Sequence, residues 1–384
     1  MKGSRFAALA LVVLGAGCGS LPDPTTVRDL RVLAVKAEPA GFLVPPDDAK
    51  SLTTTDAKLT ALVVDPMGQT MTLDVTAVGC PDFIDTITSA SGKGSKLCPD
   101  AATTNALPKP LDTLLATSDL PDSTAMPIDS MTGSPIEYGP TATYGVSADK
   151  LDDFFSLATK NDPVLDSDTF RQSVQYNRDF GMDAIVGFTF GLGTEQATAL
   201  KRIVYWPLLP DADTANVTPL QPDDPPRKDC PDTQVANQNP VLTRVDLYRH
   251  LVEGKPTDLY ADAVPTVSLS AKDELYVEPV WDPASIEKYY LRSKDGNTGA
   301  ITTQCHHEQL TFNFFATAGT FSPADRTSEL PPFLDKDSVL RTDSKYGMPG
   351  IADVPASGVV TIWVTARDER AGQTWSSRTI KVVP

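Results

Sequence analysis

The chain has 384 residues, 41% of them hydrophobic, and a formal net charge of −17 at pH 7. This length suits two or three domains, and this hydrophobic content argues against wholesale disorder. The negative charge argues against nucleic-acid binding and against adsorption to an anionic bilayer through a basic patch, because phosphate groups would repel the surface.

The N-terminus predicts export and a lipid anchor. Lys2 and Arg5 flank the start of an apolar run, residues 6–14, that is too short to span a bilayer and is typical of a signal peptide. The small residues before Cys18 resemble the lipobox of bacterial lipoproteins, which implies a signal peptide at 1–17, lipid on the Cys18 sulfur and a polar tether at 18–28. Gly19 is not the Asp that marks inner-membrane retention in that family, so the resemblance implies the outer rather than the inner membrane. Plain secretory cleavage is the alternative.

The cysteine count agrees with this interpretation. If Cys18 carries lipid, four of the five cysteines remain, an even number in an oxidising compartment. They are Cys80, Cys98, Cys230 and Cys305. Proximity along the chain favours the pairs 80–98 and 230–305, although four cysteines allow three pairings. No two of them have the Cys-x-x-Cys spacing of a metal site.

Alternating apolar and polar residues predict short strands from residue 29 onward. A first domain is expected at 29–208, closed by a hairpin of a strand at 186–192 and a returning strand at 200–206. A partly helical insertion is expected within it at about 81–182, because Ser147 is a helix cap and Leu151 begins an i, i+3, i+4, i+7 apolar face. The Pro- and Asp-rich segment 209–236 is predicted to be a linker.

The second half has the same texture, and a second domain is expected at 237–384. It closes with alternation at 360–366, a turn at 368–372 and a returning strand at 374–383. The predicted fold is therefore all-β, with two sandwiches in tandem. The segments DLRVLAVKAEP, LTALVVDPMG and GVVTIWVTARDERAGQTW resemble Ig-like domains of uncharacterised lipoproteins from Gram-negative bacteria. That resemblance implies an Ig-like architecture and no catalytic residues.

Catalytic and metal-binding motifs are not evident. His306 and His307 are adjacent, so on a strand they point to opposite faces and do not suit one ion. No catalytic residue, metal site or cofactor is predicted; calcium, held by Asp-rich turns, is the best ionic candidate. These turns contain Asp211 and Asp213, Asp223 and Asp224, and Asp335 and Asp337.

Two tryptophans are the speculative binding residues. Trp363 lies on the strand face opposite the apolar positions, and Trp375 follows across the turn. If exposed, their indoles would stack on a sugar or anchor a protein partner; burial at a sandwich edge or domain interface is the favoured alternative.

The sequence thus predicts a lipid-anchored cell-envelope protein that acts as a binding or scaffolding module without catalysis. Its expected partners are the membrane, through the lipid, and an unknown envelope protein or glycan. An envelope hydrolase with paired carboxylates and a carbohydrate-binding module are the alternatives.

Overall fold

The computed structural model describes residues 23–68, 73–81, 123–125, 127–129, 136–149, 151–152, 175–176, 178–210, 233–268, 274–295, 298–329 and 340–383. This part of the chain is mostly β-strand and forms several sheets. Within these ranges, no helix combines the length and the hydropathy that a membrane crossing needs.

Ten strands come from the first half of the chain. They are β1 (Arg31–Glu38), β2 (Gly41–Val44), β3 (Asp56–Asp65), β4 (Leu73–Pro81), β5 (Ser123–Ala125), β6 (Pro127–Asp129), β7 (Ile136–Tyr138), β8 (Thr141–Gly145), β9 (Met182–Leu192) and β10 (Glu195–Pro207). The first sheet has the order β1-β3-β7-β6, with β8 also paired to β3, and the second has the order β2-β10-β9-β4-β5. One hydrophobic core lies between these two sheets, which therefore form a sandwich.

Twelve strands come from the second half. They are β11 (Leu242–Val252), β12 (Lys255–Leu259), β13 (Thr266–Ser268), β14 (Leu275–Trp281), β15 (Lys288–Lys294), β16 (Ile301–His307), β17 (Thr311–Ala316), β18 (Thr320–Ser322), β19 (Asp325–Thr327), β20 (Ser344–Gly347), β21 (Val359–Arg367) and β22 (Gln373–Val383). The third sheet has the order β12-β11-β14-β20-β18 and the fourth the order β13-β22-β21-β17-β19, while β15 and β16 form a separate two-stranded sheet. A second core lies between the third and fourth sheets.

The predicted closing hairpins are confirmed. Strand β10 runs back along β9 with Glu195 opposite Leu192, and β22 runs back along β21 with Gln373 opposite Arg367. In the first strand of each hairpin, β9 and β21, apolar residues occupy every second position, and that face packs into the sandwich core.

The segment predicted as a partly helical insertion, about 81–182, differs from that prediction where it is described. Strands β7 and β8 lie within it, and both pair with β3 in the first sheet. They belong to the sandwich because Tyr138 and Tyr144 fill its core. A turn of helix is described after Ser147, whose carbonyl accepts a hydrogen bond from the buried Leu151 N–H at 3.0 Å. Residues 175–176 and 178–180 are also helical, and residues 153–174 lie outside the described residues.

The two sandwiches pack against each other through the outer faces of the first and fourth sheets. Val35 on β1 belongs to the core of the first sandwich, whereas Leu33 on β1 and Leu62 on β3 belong to a third cluster that also contains Trp363 of β21. Both faces of these central strands are therefore buried, and the sheets lie in the order second, first, fourth, third.

Strand β1 defines the two ends of this stack. At its start Arg31 lies opposite Val64, close to the β3–β4 turn, and we call this the amino end. At its other end the Ala37 carbonyl oxygen accepts a hydrogen bond from the side chain of Asn239, in the segment that enters the second sandwich, and we call this the linker end. At 3.3 Å per residue, the two ends of β1 are about 23 Å apart.

Candidate functional site

The linker end carries an open groove between the two sandwiches. It has a volume of about 380 Å³ and is bordered on one side by β1 and the residues that follow it, and on the other by the chain segment before β11. An ion pair of Lys36 Nζ and Glu38 Oε1, 2.8 Å apart, lies on the first side. Pro39 and Pro240 add rigid, apolar surface on the two sides.

Asn239 holds the two sides of the groove together. Its side-chain nitrogen donates to the Ala37 carbonyl oxygen at 2.6 Å, and its side-chain oxygen accepts from the Gln373 N–H at 2.9 Å. The Gln373 side chain in turn accepts from the Val35 N–H at 3.1 Å. One amide side chain thus bridges the first sandwich to β22, which fixes the width of the groove.

Next to the groove, the turn at 368–372 is fixed by a buried aspartate. The Asp368 carboxylate accepts from the Gly372 N–H at 2.6 Å and from the Asn237 side chain at 3.3 Å. A Cβ on Gly372 would lie 2.0 Å from the Asp368 carboxylate, so the turn needs glycine at that position.

Arg370, in the same turn, is buried among opposite charges. Its Nε donates to Glu308 at 3.1 Å, and its Nη2 pairs with Glu287. Its guanidinium lies 4.4 Å from the ring centroid of Tyr289. The Arg370 guanidinium therefore joins three separate segments of the chain: its own turn at 368–372, the start of β15 and the end of β16.

Burial shifts the protonation of this cluster. Glu308 is 0% exposed, and burial, together with the nearby negative charge of Asp368, raises its pKa to about 7. Burial likewise raises the pKa of Asp368. Lys201 on β10, which donates to the Ala371 carbonyl oxygen, has its pKa lowered to about 8 because burial penalises its ammonium.

Glu369, in the same turn, contacts both the first sandwich and the two-stranded sheet. Its carboxylate lies 2.8 Å from His306 Nε2, and its backbone oxygen accepts from Arg202 at 3.3 Å. The ionic cluster of Glu287, Glu308, Asp368, Glu369 and Arg370 is therefore a junction that fixes the linker end. Among the residues that the structure describes, no group of three or more His, Cys, Asp or Glu is arranged to hold a metal ion.

Comparisons with known proteins add little to this geometry. No known protein family matches the sequence, and no curated protein matches it significantly. A solved structure of mouse clustered PcdhgC3 EC1-3 is 7% identical, with a TM-score of 0.16, over 93% of this chain and 69% of that chain. The extracellular cadherin domains 1-4 of Protocadherin Gamma B7 are 11% identical, with a TM-score of 0.12, over 93% and 92% of the two chains. These are weak similarities to cadherin β-sandwiches, and at such TM-scores they carry no argument about function.

The structure places the two predicted binding tryptophans in the domain interface. Trp363 is 0% exposed, and its Nε1 donates to Glu137 of the first sandwich at 2.6 Å. Trp375 is half-buried against the same cluster. The favoured alternative, burial at a domain interface, is therefore confirmed for Trp363, and an exposed indole platform is wrong there because the first sheet covers this strand face.

Most other predicted site residues lie outside the described side chains. Cys18, Cys98 and Cys230 are outside the described residues, as are all six aspartates of the proposed calcium turns. Cys80 lies in the later part of β4, where the side chains are not described. Cys305 is buried in β16 and takes part in a disulfide. Its pairing with Cys230 stays a prediction.

Sequence reasoning did not single out the residues of the ionic cluster. Arg370 and Asp368 lie in a polar turn, a pattern typical of solvated hairpins. Glu308 directly follows His306 and His307, whose sequence pattern suggests only a metal site. No pattern within one segment indicates that these charges share a buried site, since their partners come from three distant segments.

Proposed function

We propose that the protein is a lipid-anchored module of the bacterial cell envelope, in the outer rather than the inner membrane, that binds or scaffolds a partner without catalysis. Its two sandwiches are taken as Ig-like domains of the kind found in uncharacterised Gram-negative lipoproteins. Lipid on Cys18 holds it at the membrane, and the tether at 18–28 connects the lipid to the body.

The observation that carries this proposal is the interface between the sandwiches. Trp363 is buried between them, and Asn239 and the ionic cluster fix them at the linker end. Two domains joined in this way move as one body, which suits a part that holds a partner at a set distance from a membrane. The groove at the linker end is the proposed binding site, because both sandwiches contribute to it and Asn239 fixes its width.

The buried carboxylates favour this structural role over that of a hydrolase. Glu308 is bonded to Arg370, and Asp368 to Asn237 and Gly372, so both acids are engaged inside the junction. A hydrolase needs an acid pair that a substrate reaches.

The anchor is tested by intact mass spectrometry of protein extracted from membranes. The expected result is a chain that begins at a lipidated Cys18 and has no thiol that reacts with an alkylating agent until the protein is reduced. An unlipidated chain would refute the anchor, and free thiols in the native protein would refute the disulfides.

The binding site is tested by photo-crosslinking in intact envelopes. A photoreactive residue at Gln238, exposed in the groove, is expected to crosslink to a partner, and the same residue at Val264, exposed outside the groove, is not. The crosslink is expected to disappear when Thr374→Arg narrows the groove. Crosslinks from both positions, or a crosslink that survives Thr374→Arg, would contradict the assignment of the groove.

A further inference from the structure

The amino end carries the most exposed large apolar side chains of the described part of the chain. Ile351 is 70% exposed and Met67 is 67% exposed. Met67 lies in the β3–β4 turn of the first sandwich, and Ile351 in a 3₁₀ turn of the second sandwich. Both sandwiches therefore present an apolar tip at the same end, and we call the two side chains the amino-end patch.

The N-terminal segment lies beside this patch. Thr26 and Met67 line one groove, about 420 Å³ in volume, together with Gly350, the neighbour of Ile351. The Val27 N–H donates to the Ala316 carbonyl oxygen at 2.8 Å, and Thr26 Oγ1 to the Gly319 carbonyl oxygen at 2.5 Å. The last residues of the predicted tether are thus fixed to the amino end, and the free part of the tether ends before Thr26.

The distance from the patch to the proposed lipid is short. Asp23 is the first described residue, and five peptide units separate it from Cys18. At 3.3–3.6 Å per residue, Cys18 lies at most about 18 Å from Asp23. Lipid on Cys18 therefore brings the amino end, and not the linker end, within reach of the bilayer surface.

The charges at this end suit an uncharged membrane contact. Arg28 and Asp353 both line the groove, so opposite charges lie beside the patch. The chain as a whole carries −17 and is repelled by anionic lipid, so a second attachment has to be apolar. A second, apolar contact adds to the binding that the lipid provides and restricts the orientation in which the protein is held.

We propose that Met67 and Ile351 insert into the interfacial region of the bilayer and orient the protein with its linker end pointing away from the membrane. This inference rests on the proposed lipid anchor. The two apolar side chains enter the headgroup boundary, while the strands behind them remain in water. Each is expected to strengthen membrane binding about tenfold.

The test attaches the mature chain to phosphatidylcholine vesicles through a hexahistidine tag at position 18 and a nickel-chelating lipid, so it does not depend on lipidation. An environment-sensitive fluorophore is placed at Met67→Cys or Ile351→Cys, with Val241→Cys as control. Val241 is 51% exposed but lies at the linker end. The fluorophore at positions 67 and 351 is expected to shift to the blue and to be quenched by spin-labelled lipid, whereas at position 241 it is unchanged.

Equal quenching at all three positions, or none at any, would overturn the proposal. A blue shift without vesicles that grows with protein concentration would overturn it in favour of contact between two copies. In a second measurement, the double variant Met67→Ser/Ile351→Ser is expected to lower the affinity of the tagged, unlipidated chain for the same vesicles about a hundredfold, and an unchanged affinity would again overturn the proposal. If mass spectrometry finds Cys18 unlipidated while the tagged chain still shows quenching at 67 and 351, the anchor fails and the patch stands.

Discussion

Substitution of Trp363 by Ala is expected to separate the two sandwiches. The side chain is fully buried in the interface cluster, and its indole nitrogen donates to Glu137. A buried Trp→Ala change costs about 3–5 kcal/mol of the free energy of unfolding. A hydrogen bond to a charged group accounts for roughly 1.5–3 kcal/mol of this, and the rest is lost packing against Leu33 and Leu62.

The assay is urea unfolding combined with small-angle scattering, with Phe312→Ala as the matched control. Phe312 is also fully buried, but it lies in the core of the second sandwich. Both variants are expected to lose several kcal/mol. Only Trp363→Ala is expected to enlarge the radius of gyration of the folded protein and to split unfolding into two transitions, because it loosens the contact between domains and not a domain itself.

A milder pair of variants isolates the hydrogen bond. Trp363→Phe and Glu137→Ala, each of which removes one partner of the bond, are combined in a double-mutant cycle, in which a coupling free energy of about 1–2 kcal/mol is expected. A coupling near zero, or a Trp363→Ala variant with unchanged compactness and a loss below about 1 kcal/mol, would refute the assignment of Trp363 to the interface.

Three further predictions concern buried polar groups. Arg370→Met is expected to cost about 3–5 kcal/mol at about pH 9, where Glu308 is ionised and loses its cation, and urea unfolding at about pH 5 should show a smaller loss since Glu308 is then protonated. Burial raises the pKa of Glu308 to about 7, so the folded chain binds more protons than the unfolded chain between about pH 4.5 and 7. The free energy of unfolding therefore falls as the pH rises through that window. Glu308→Gln should flatten this part of the curve of stability against pH, and an unchanged slope would contradict the prediction. Tyr205→Phe should lower the free energy of unfolding, measured by thermal unfolding, by about 2 kcal/mol. The Tyr205 hydroxyl donates to the Thr55 carbonyl oxygen at 3.0 Å and accepts from the Val146 N–H at 2.9 Å. A loss near zero would contradict the burial of these two hydrogen bonds.

The strands and closing hairpins were predictable because alternation is a local pattern. In β21, Val360, Ile362 and Val364 face the core of the second sandwich, as the period of two predicts. The turns that join the hairpins also have local signals, such as Gly193, whose positive φ of 61° favours glycine.

The packing of one sandwich on the other was not predictable in this way. Thr361, Trp363 and Thr365 occupy the outer positions of β21, which alternation assigns to solvent, yet all three are buried. One local signal did exist in β3, where Ala61 to Val64 are four consecutive apolar residues. Such a run is typical of a strand covered on both faces. The run indicates that another part of the protein packs on the outer face of β3. It does not indicate which part, because the strand that packs there is about 300 residues away along the chain.

The two ends of β1 carry different kinds of side chain. The amino end combines the first described residues with exposed Met67 and Ile351, whereas the linker end combines the groove with the ionic cluster. The apolar side chains and the charged cluster thus lie toward opposite ends of β1, a strand about 23 Å long. If the lipid holds the amino end, the groove faces the aqueous compartment, where an envelope protein or a glycan can reach it. If the amino end were free, its two apolar tips would be exposed to water without a partner. The anchor and the groove therefore support the same orientation, and the fluorophore experiment tests that orientation directly.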